Sequence, residues 1–253
     1  MNKVVVITGA SKGIGAATAI AFGKVGYDVV LNYYSDDKAA KEVAKTIEAA
    51  GQKVASVQAD IFTETGIATL LAAVKDKFGK IDVLVNNAGL AKEPEFGQWT
   101  QESIDKSLTG NVVSAMLCTQ AFVPFINKGG CILFTSSIYG LNFGGNPNLA
   151  LYSAGKAALI NFSQTMAEKL APNIRCNVVV PGTTKTPVWD GANPAYAQKS
   201  LDMTLQKEWV AAEEIANTFV FLASTSHITA QTIVVDAGWQ KKIRDNSPAR
   251  ESR

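Results

Sequence analysis

Residues 3–15 read KVVVITGASKGIG, a valine-rich run followed at once by a loop with three glycines. The run Lys3–Ile7 is typical of a strand buried on both faces of a parallel sheet, and Ala16–Gly23 favours a helix. The glycines let the backbone turn sharply and let a phosphate approach the helix N-terminus, where free N–H groups and the dipole favour negative charge. The order strand, loop, helix therefore predicts a dinucleotide-binding turn, although the glycine spacing alone would also suit an ordinary tight turn.

Strands and helices are predicted to alternate along the rest of the chain. Apolar runs predict further strands at 28–32, 53–58, 81–85, 131–135, 175–180 and within 228–238. Helical patterns lie between them, at 35–50, 63–78, 100–121 and 152–170. This β-α-β-α order predicts an α/β fold: a single Rossmann-type domain with a doubly wound parallel sheet of about seven strands and helices on both faces.

Length and charge set the domain organisation. The chain has 253 residues, of which 47% are hydrophobic, and this suffices for one large core. We expect one domain over residues 1–240 and a tail over residues 241–253. The tail holds five basic and two acidic residues, a composition that predicts a charged, disordered segment. The remaining chain is then slightly acidic, so no basic patch for nucleic acid is expected.

The cysteines and the histidine of the chain indicate which covalent links and metal sites it can form. Cys118, Cys131 and Cys176 lie in apolar surroundings without paired spacing, which predicts small buried side chains in a reducing compartment, the cytoplasm. The only histidine, His227, cannot complete a zinc cluster with them, so no metal site is expected. No apolar run reaches the ~18 residues of a membrane span, and the first run is too short for a signal peptide.

Tyr152 and Lys156 are four residues apart at the start of the predicted helix 152–170, so both side chains leave the same face. A nearby cation can lower a phenol pKa of ~10 by roughly 1 to 3 units and make the phenol a usable proton donor and acceptor. The spacing is not specific, because Tyr34 and Lys38 repeat it without an assignable chemistry. The interpretation of Tyr152 therefore depends on its neighbours in the chain.

Other motifs stand in a fixed order around this pair. Each follows a predicted strand or lies in a predicted element: Asn86-Asn87-Ala88-Gly89, Asn111, Ser137, Pro181-Gly182 and the terminal segment 228–238. Together with the glycine-rich loop and Tyr152-x-x-x-Lys156, they resemble the short-chain dehydrogenase/reductase family, in its branch of about 250-residue chains. The resemblance covers residues 3–238, which is nearly the whole domain. Each motif is weak by itself, but their joint order is specific.

The resemblance implies a role for each of four polar residues. Tyr152 would be the general acid/base at the substrate oxygen, and Lys156 would lower its pKa and bind the nicotinamide ribose. Ser137 would polarise the carbonyl, and Asn111 would position a water that relays protons to Lys156. The chemistry is consistent, because a hydride delivered to a carbonyl leaves an alkoxide, which needs a hydroxyl donor and an acidified phenol.

The resemblance also implies a nicotinamide-dinucleotide site. Its expected members are Gly9, Ser11, Lys12, Gly13, Ile14, Gly15, Asn32, Tyr33, Asp60, Ile61, Asn87, Ala88, Gly89, Tyr152, Lys156, Pro181, Gly182, Thr184 and Thr186. NADP is expected rather than NAD, because Asn32 and Tyr33 stand where an NAD-preferring chain has an acid. Lys12 could meet the 2′-phosphate, although Asp36 and Asp37 could partly restore the repulsion.

The substrate is less defined by the sequence. Candidate pocket residues are apolar or aromatic: Leu90, Ile138, Tyr139, Leu141, Phe143, Trp189 and Tyr196. They suit an apolar or aromatic ketone or alcohol, and segment 183–208 is expected to be a lid loop. The interval from Ser137 to Tyr152 is longer than is common in the family. Ala230 and Ala237 stand where glycine is usual and are expected to alter packing only.

Three interpretations of function remain open. The first is an NADP-dependent oxidoreductase, of which a 3-oxoacyl-carrier-protein reductase is one form; Lys128 could dock the acidic carrier, although residues 171–173 offer no second cation. The second is an epimerase or dehydratase, disfavoured because such chains carry a longer C-terminal domain. The third is a nucleotide sensor, disfavoured because such relatives tend to lose the tyrosine or the lysine. A homodimer or homotetramer is also implied, formed by the helices that start at Thr100 and Tyr152.

Overall fold

The computed structural model of the protein describes residues 2–191 and 193–239, apart from the side chains of Val188 and Tyr196. Over these residues a parallel seven-stranded sheet carries helices on both faces, which confirms the predicted fold class. The sheet strands are β1 Val4–Ile7, β2 Asp28–Tyr33, β3 Val54–Gln58, β4 Ile81–Asn86, β5 Ile126–Thr135, β6 Arg175–Pro181 and β9 Thr232–Val235. A second, two-stranded parallel sheet consists of β7 Thr184–Lys185 and β8 Val210–Ala211. The predicted tail, 241–253, lies outside the described residues.

The helices alternate with these strands as the sequence pattern requires. They are α1 Gly13–Lys24, α2 Asp37–Ala49, α3 Glu64–Lys77, α4 Gln101–Leu108, α5 Ser114–Phe122, α6 Ala150–Leu170, α7 Pro194–Asp202 and α8 Ala212–Ser224. The strand order is β3-β2-β1-β4-β5-β6-β9, so the winding reverses between β1 and β4. In sheets of this kind a ligand crevice opens at the carboxyl ends of the strands beside the reversal. The glycine-rich loop and the end of β4 therefore meet at that crevice.

The core has two layers, one on each face of the sheet. Successive residues of β1 enter opposite layers: Val4 and Val6 pack on one face, and Val5 and Ile7 pack on the other. The first layer is completed by α3, α5 and α6, and the second by α1, α2 and α8. Burial on both faces explains why the strand reads as a continuous apolar run rather than an alternating one.

The long helix predicted at 100–121 is interrupted in its middle. Thr100 caps α4 through its side chain, and Thr109–Val113 forms a single π-helical turn before α5 begins. Such turns insert an extra residue and are frequent at functional sites. This one contains Asn111, which the resemblance placed in the active site.

One helical stretch has the length and composition of a membrane span. Residues Gln101–Phe125 have a mean hydropathy of 1.3 over their most apolar window, and 44% of that window is buried inside the protein. Polar residues, among them Ser107, Asn111 and Ser114, interrupt its apolar pattern in the sequence. Its packing against α3 and α6 is that of a core helix.

Two segments differ from the sequence prediction. Residues 183–208, expected to form a loop, contain β7, a short 3-10 turn at Pro187–Trp189 and α7. Helix α8 was not predicted, although Ile215, Phe219 and Leu222 bury one face of it against the sheet. Both helices nevertheless have local signals, since Asn193 and Pro194 begin α7, and the apolar residues of α8 recur at helical spacing.

Ala230 and Ala237 do more than alter packing. Their φ angles are 59° and 52°, in the left-handed region that glycine adopts without steric cost. The expectation that these alanines alter packing only is therefore wrong, because they also hold the backbone in a strained conformation. A side chain at such a position costs about 1 kcal/mol.

Candidate active site

The glycine-rich loop has the shape of a phosphate cradle. Gly9 and Gly13 have φ angles of 63° and 57°, and a Cβ on Gly15 would collide with the Gly9 carbonyl and lie 2.6 Å from Asn87 Nδ2. Among the described residues, no side chain caps the first turn of α1, which also contains no acidic residue. Free amide groups at a helix start, approached only through glycine, fit the pyrophosphate of a dinucleotide.

The loop is fixed to the end of β4 by a pair of polar side chains. The Thr8 hydroxyl accepts hydrogen bonds from the backbone amides of Asn87 (2.9 Å) and Ala88 (3.1 Å). The Asn87 side chain donates to the carbonyls of Thr8 (3.0 Å) and Gly9 (3.2 Å). Thr8 was not among the predicted site residues, although it is the first residue of the glycine motif Thr8-Gly-x-x-x-Gly13-x-Gly15. These contacts hold the two halves of the crevice together.

Asn32 serves the loop rather than facing a ligand. Its side chain is 1% exposed, accepts a hydrogen bond from Gly9 N (3.2 Å) and donates to Ala59 O (3.0 Å). The Tyr33 side chain is also buried, and its hydroxyl donates to Asp37 at 2.9 Å. Both side chains are committed to contacts within the protein, and the place of these two residues in the cofactor site stays a prediction.

Lys12 and Asp36 lie close together at the open edge of the loop. Lys12 Nζ is 3.6 Å from Asp36 Oδ2, and the two side chains are 63% and 41% exposed. Asp36 also caps α2 by accepting from Ala39 N at 3.0 Å. The lysine is thus available to an anionic group, while the carboxylate of Asp36 competes for it.

Tyr152 and Lys156 meet on the first two turns of α6, as predicted. Lys156 Nζ lies 5.5 Å from the centroid of the Tyr152 ring and donates to Thr135 O at 2.9 Å. The lysine is 3% exposed, and Ser137, which follows β5, lies near enough to the Tyr152 phenol to lower its pKa. Thr135 was not predicted to take part, and no sequence signal distinguishes its carbonyl. Two hydroxyls and an ammonium group are therefore gathered at the carboxyl end of β5.

The proton affinities of this cluster differ from the prediction. Burial raises the pKa of Tyr152 above its usual value, and the hydrogen bond with Ser137 acts in the opposite direction. Burial also lowers the pKa of Lys156 from 10.5 to about 8. The predicted lowering of the Tyr152 pKa by Lys156 is not found, because desolvation of the phenol outweighs the attraction of a cation whose own charge is destabilised by burial.

Asn111 holds the loop that follows β4. Its side chain donates to Leu90 O (2.7 Å) and Ser107 O (2.9 Å) and accepts from Leu90 N (3.1 Å). A Cβ on Gly89 would lie 3.1 Å from Lys156 Nζ and 3.2 Å from Asn111 Oδ1. The lysine and the asparagine therefore face one another across space that only glycine leaves open.

The other predicted cofactor residues fall around the same crevice. Thr186 lies across from the loop, because a Cβ on Gly13 would be 3.4 Å from its Cγ2 atom. The Thr184 hydroxyl is turned back to Gly182 O at 2.9 Å. Asp60 accepts from Phe62 N, and Ile61 and Thr184 are buried, so their contact with the cofactor stays a prediction. The remaining predicted members, in the loop and at the strand ends, are Ser11, Ile14, Ala88, Pro181 and Gly182.

Known proteins match this chain over almost its whole length. A family profile described as Enoyl-(Acyl carrier protein) reductase matches residues 9–240. A 3-oxoacyl-[acyl-carrier-protein] reductase of Synechocystis sp. is 37% identical over 247 residues, which cover 93% of this chain and 96% of that protein. A short-chain dehydrogenase from Burkholderia cenocepacia, solved in complex with NADP, is 32% identical with a TM-score of 0.88, covering 94% of this chain and 98% of that one. L-Sorbose reductase from Gluconobacter frateurii, solved with NADPH and L-sorbose, is 32% identical with a TM-score of 0.87, covering 94% and 97%.

A Rossmann-type domain that gathers a serine, a tyrosine and a lysine beside a glycine-rich loop defines a class of oxidoreductases. The chain belongs to the short-chain dehydrogenase/reductase family within that class. The resemblance drawn from the motifs is thereby confirmed, as is the prediction of an enzyme that acts on a carbonyl or an alcohol.

Proposed function

We propose that the protein interconverts a ketone and a secondary alcohol with NADP, and that Tyr152 is the general acid/base. The observation that carries the proposal is the cluster at the carboxyl end of β5, where Ser137 lies beside the Tyr152 phenol and the ammonium of Lys156 is 5.5 Å from the centroid of its ring. A carbonyl oxygen that enters this cluster meets a hydroxyl donor and a proton donor together. Both are what a developing alkoxide requires.

The cofactor fits the residues that are present. The loop glycines and the uncapped start of α1 would hold the pyrophosphate, and Lys12 would meet the 2′-phosphate. Two solved relatives, from Burkholderia cenocepacia and Gluconobacter frateurii, contain NADP and NADPH. When bound, the nicotinamide supplies the hydride.

Residues of the chain supply the proton that the substrate oxygen receives. Because burial raises the Tyr152 pKa, the phenol stays protonated at neutral pH and is ready to donate to the substrate oxygen. Ser137 orients that oxygen. Lys156, with a pKa of about 8, is mostly charged at neutral pH and stabilises the phenolate that is left. Asn111, across the Gly89 gap, would position the water that returns a proton to Lys156.

The substrate is proposed to be an apolar or aromatic carbonyl compound. Trp189 stacks against Trp209 with ring centroids 4.7 Å apart, and Tyr139 packs edge-on against Trp239 at 6.0 Å. Ile138 is a core residue, 2% exposed, and is withdrawn from the predicted pocket. The Tyr196 side chain lies outside the described residues.

The position of Lys128 within one chain gives little support to a substrate attached to a carrier protein. Lys128 lies near the start of β5, whereas Ser137 follows its end, so about 20 Å of strand separates the two. The predicted docking of a carrier by Lys128 beside the site of the same chain is therefore corrected. A 3-oxoacyl substrate remains a candidate, because the relative from Synechocystis sp. is a 3-oxoacyl-[acyl-carrier-protein] reductase.

The test is a steady-state assay that follows the absorbance of the reduced nicotinamide with a panel of an aromatic ketone, a 3-oxoacyl thioester and a ketose. We expect turnover with at least one ketone and a higher kcat/KM with NADPH than with NADH. Lys12→Ala should reduce kcat/KM for NADPH about tenfold and have little effect on kcat/KM for NADH. Asp36→Asn should raise kcat/KM for NADPH. Nucleotide binding without turnover would instead indicate a sensor, and a higher kcat/KM with NADH would reject the cofactor assignment.

A further inference from the structure

The helix that carries Tyr152 does not cap its own N-terminus. The N-cap residue of α6 is Leu149, whose side chain makes no capping hydrogen bond, and the first turn contains no acidic residue. A helix start leaves several backbone N–H groups without intrahelical partners, and a buried start needs acceptors from elsewhere. In α6 these groups belong to Leu151 and Tyr152, directly at the reactive side chain.

Glu93 supplies the missing acceptors from a distant part of the chain. Its Oε1 accepts from Leu151 N at 3.2 Å, and its Oε2 accepts from Tyr152 N at 2.9 Å. Both carboxylate oxygens are therefore used, one for each of two successive amides. A negative charge at this end of the helix is also favoured by the helix dipole.

The Glu93 loop is itself fixed to the other side of the site. The backbone N–H and C=O of Leu90, three residues before Glu93, are both hydrogen-bonded to the Asn111 side chain. Between β4 and α4, the loop thus connects the π-helical turn that holds Asn111 with the first turn of α6. Displacing Glu93 would free the start of α6 from the loop that carries Ala88 and Gly89.

We infer that Glu93 is a positioning residue that sets the placement of Tyr152 against the loop after β4, and this inference rests on the function proposed above. The carboxylate acts through the backbone of Tyr152 and does not exchange the substrate proton. Its loss should therefore reduce the rate of the chemical step and leave nucleotide binding unchanged.

The kinetic test compares Glu93→Ala and Glu93→Gln with Glu95→Ala, a change at an exposed carboxylate two residues away on the same loop. We expect kcat to fall about tenfold in Glu93→Ala and about threefold in Glu93→Gln, which keeps one acceptor oxygen. KM for NADPH should stay within about twofold in both, and Glu95→Ala should match the wild type. If kcat of Glu93→Ala lies within about twofold of the wild type, or kcat and nucleotide affinity fall together, the inference is overturned.

Amide hydrogen exchange provides a second readout that does not depend on turnover. In Glu93→Ala, exchange at the Leu151 and Tyr152 amides should accelerate about tenfold, while β1 and α1 keep their protection. Unchanged exchange at these amides, or faster exchange throughout the domain, would contradict the inference. If the wild type reduces no ketone in the panel, the proposed function fails, and the local exchange result still decides whether Glu93 fixes the start of α6. If Glu93→Ala does not fold, both the kinetics and the amide exchange are measured on Glu93→Gln.

Discussion

Lys156 is the buried charge of the site, and its environment makes the stability of the protein depend on pH. Burial lowers its pKa from 10.5 to about 8, so between these pH values the unfolded chain holds a proton that the folded chain has released. Below about pH 8 both states are protonated and the folded state bears the full cost of the buried charge. As the pH rises from 8 towards 10.5 that cost disappears, so the contribution of Lys156 to the free energy of unfolding increases.

Lys156→Met removes this titration while filling a similar volume. From pH 7 to pH 9.5 the wild type should gain about 2 kcal/mol of unfolding free energy relative to the variant. Urea denaturation of both proteins at the two pH values measures the difference, and other titrating groups cancel because they are common to both. A difference that does not change with pH would show that Lys156 has an ordinary pKa.

At the residue scale, the sequence predicted which side chains meet but not their energetics. The Tyr152 and Lys156 spacing places both at the site, whereas the same spacing leaves Tyr34 68% exposed. The sign of the Tyr152 pKa shift depends on burial and on Ser137, which approaches from another element. The bond from the Asn32 side chain to Ala59 was not predictable for a related reason, because Ala59 belongs to a different strand connection.

At the scale of elements, the left-handed alanines offer a direct test of backbone strain. Replacing Ala230 and Ala237 by glycine should raise the free energy of unfolding by about 0.5 to 1 kcal/mol per site, because the steric cost exceeds the entropy that glycine loses. Ala72→Gly, an exposed change inside α3, is the matched control and should lower it by about 1 kcal/mol. Destabilisation by the first two changes would mean that the β-carbons contribute packing that outweighs the strain.

Long, regular elements were predictable because their patterns are local. Strands buried on both faces read as valine runs, and helices α2 and α3 begin with side-chain caps at Asp36 and Thr63. The π-helical turn was not predictable, because Asn111 is bonded there to Leu90 from a different element. Helices α7 and α8 were missed although Asn193 caps the first and apolar residues recur at helical spacing in the second.

At the scale of the whole molecule, we propose that the long helix 101–125 associates with a second copy of the chain. Its apolar window is only 44% buried within one chain, and Val113 is 38% exposed. An exposed valine on a helix that otherwise packs into the core is a suitable contact for a second copy. Light scattering should therefore give a mass above the 26.8 kDa of one chain.

Charge substitution tests whether this helix forms the contact. Val113→Lys should shift the mass towards one chain, and Val25→Lys, a change at a residue 55% exposed after α1, should leave it unchanged. A wild type that is strictly monomeric would contradict the proposed association.

The central claim is that the phenol of Tyr152 carries the proton, and Tyr152→Phe tests it most directly. In this variant kcat for the reduction of a ketone by NADPH should fall at least about 1,000-fold. The affinity for NADPH, measured by fluorescence, should stay nearly unchanged, since only the ionisable oxygen is lost. Tyr34→Phe, which removes the hydroxyl from the other tyrosine with the same spacing to a lysine, should retain full activity. Turnover in Tyr152→Phe comparable with that of the wild type would contradict the account.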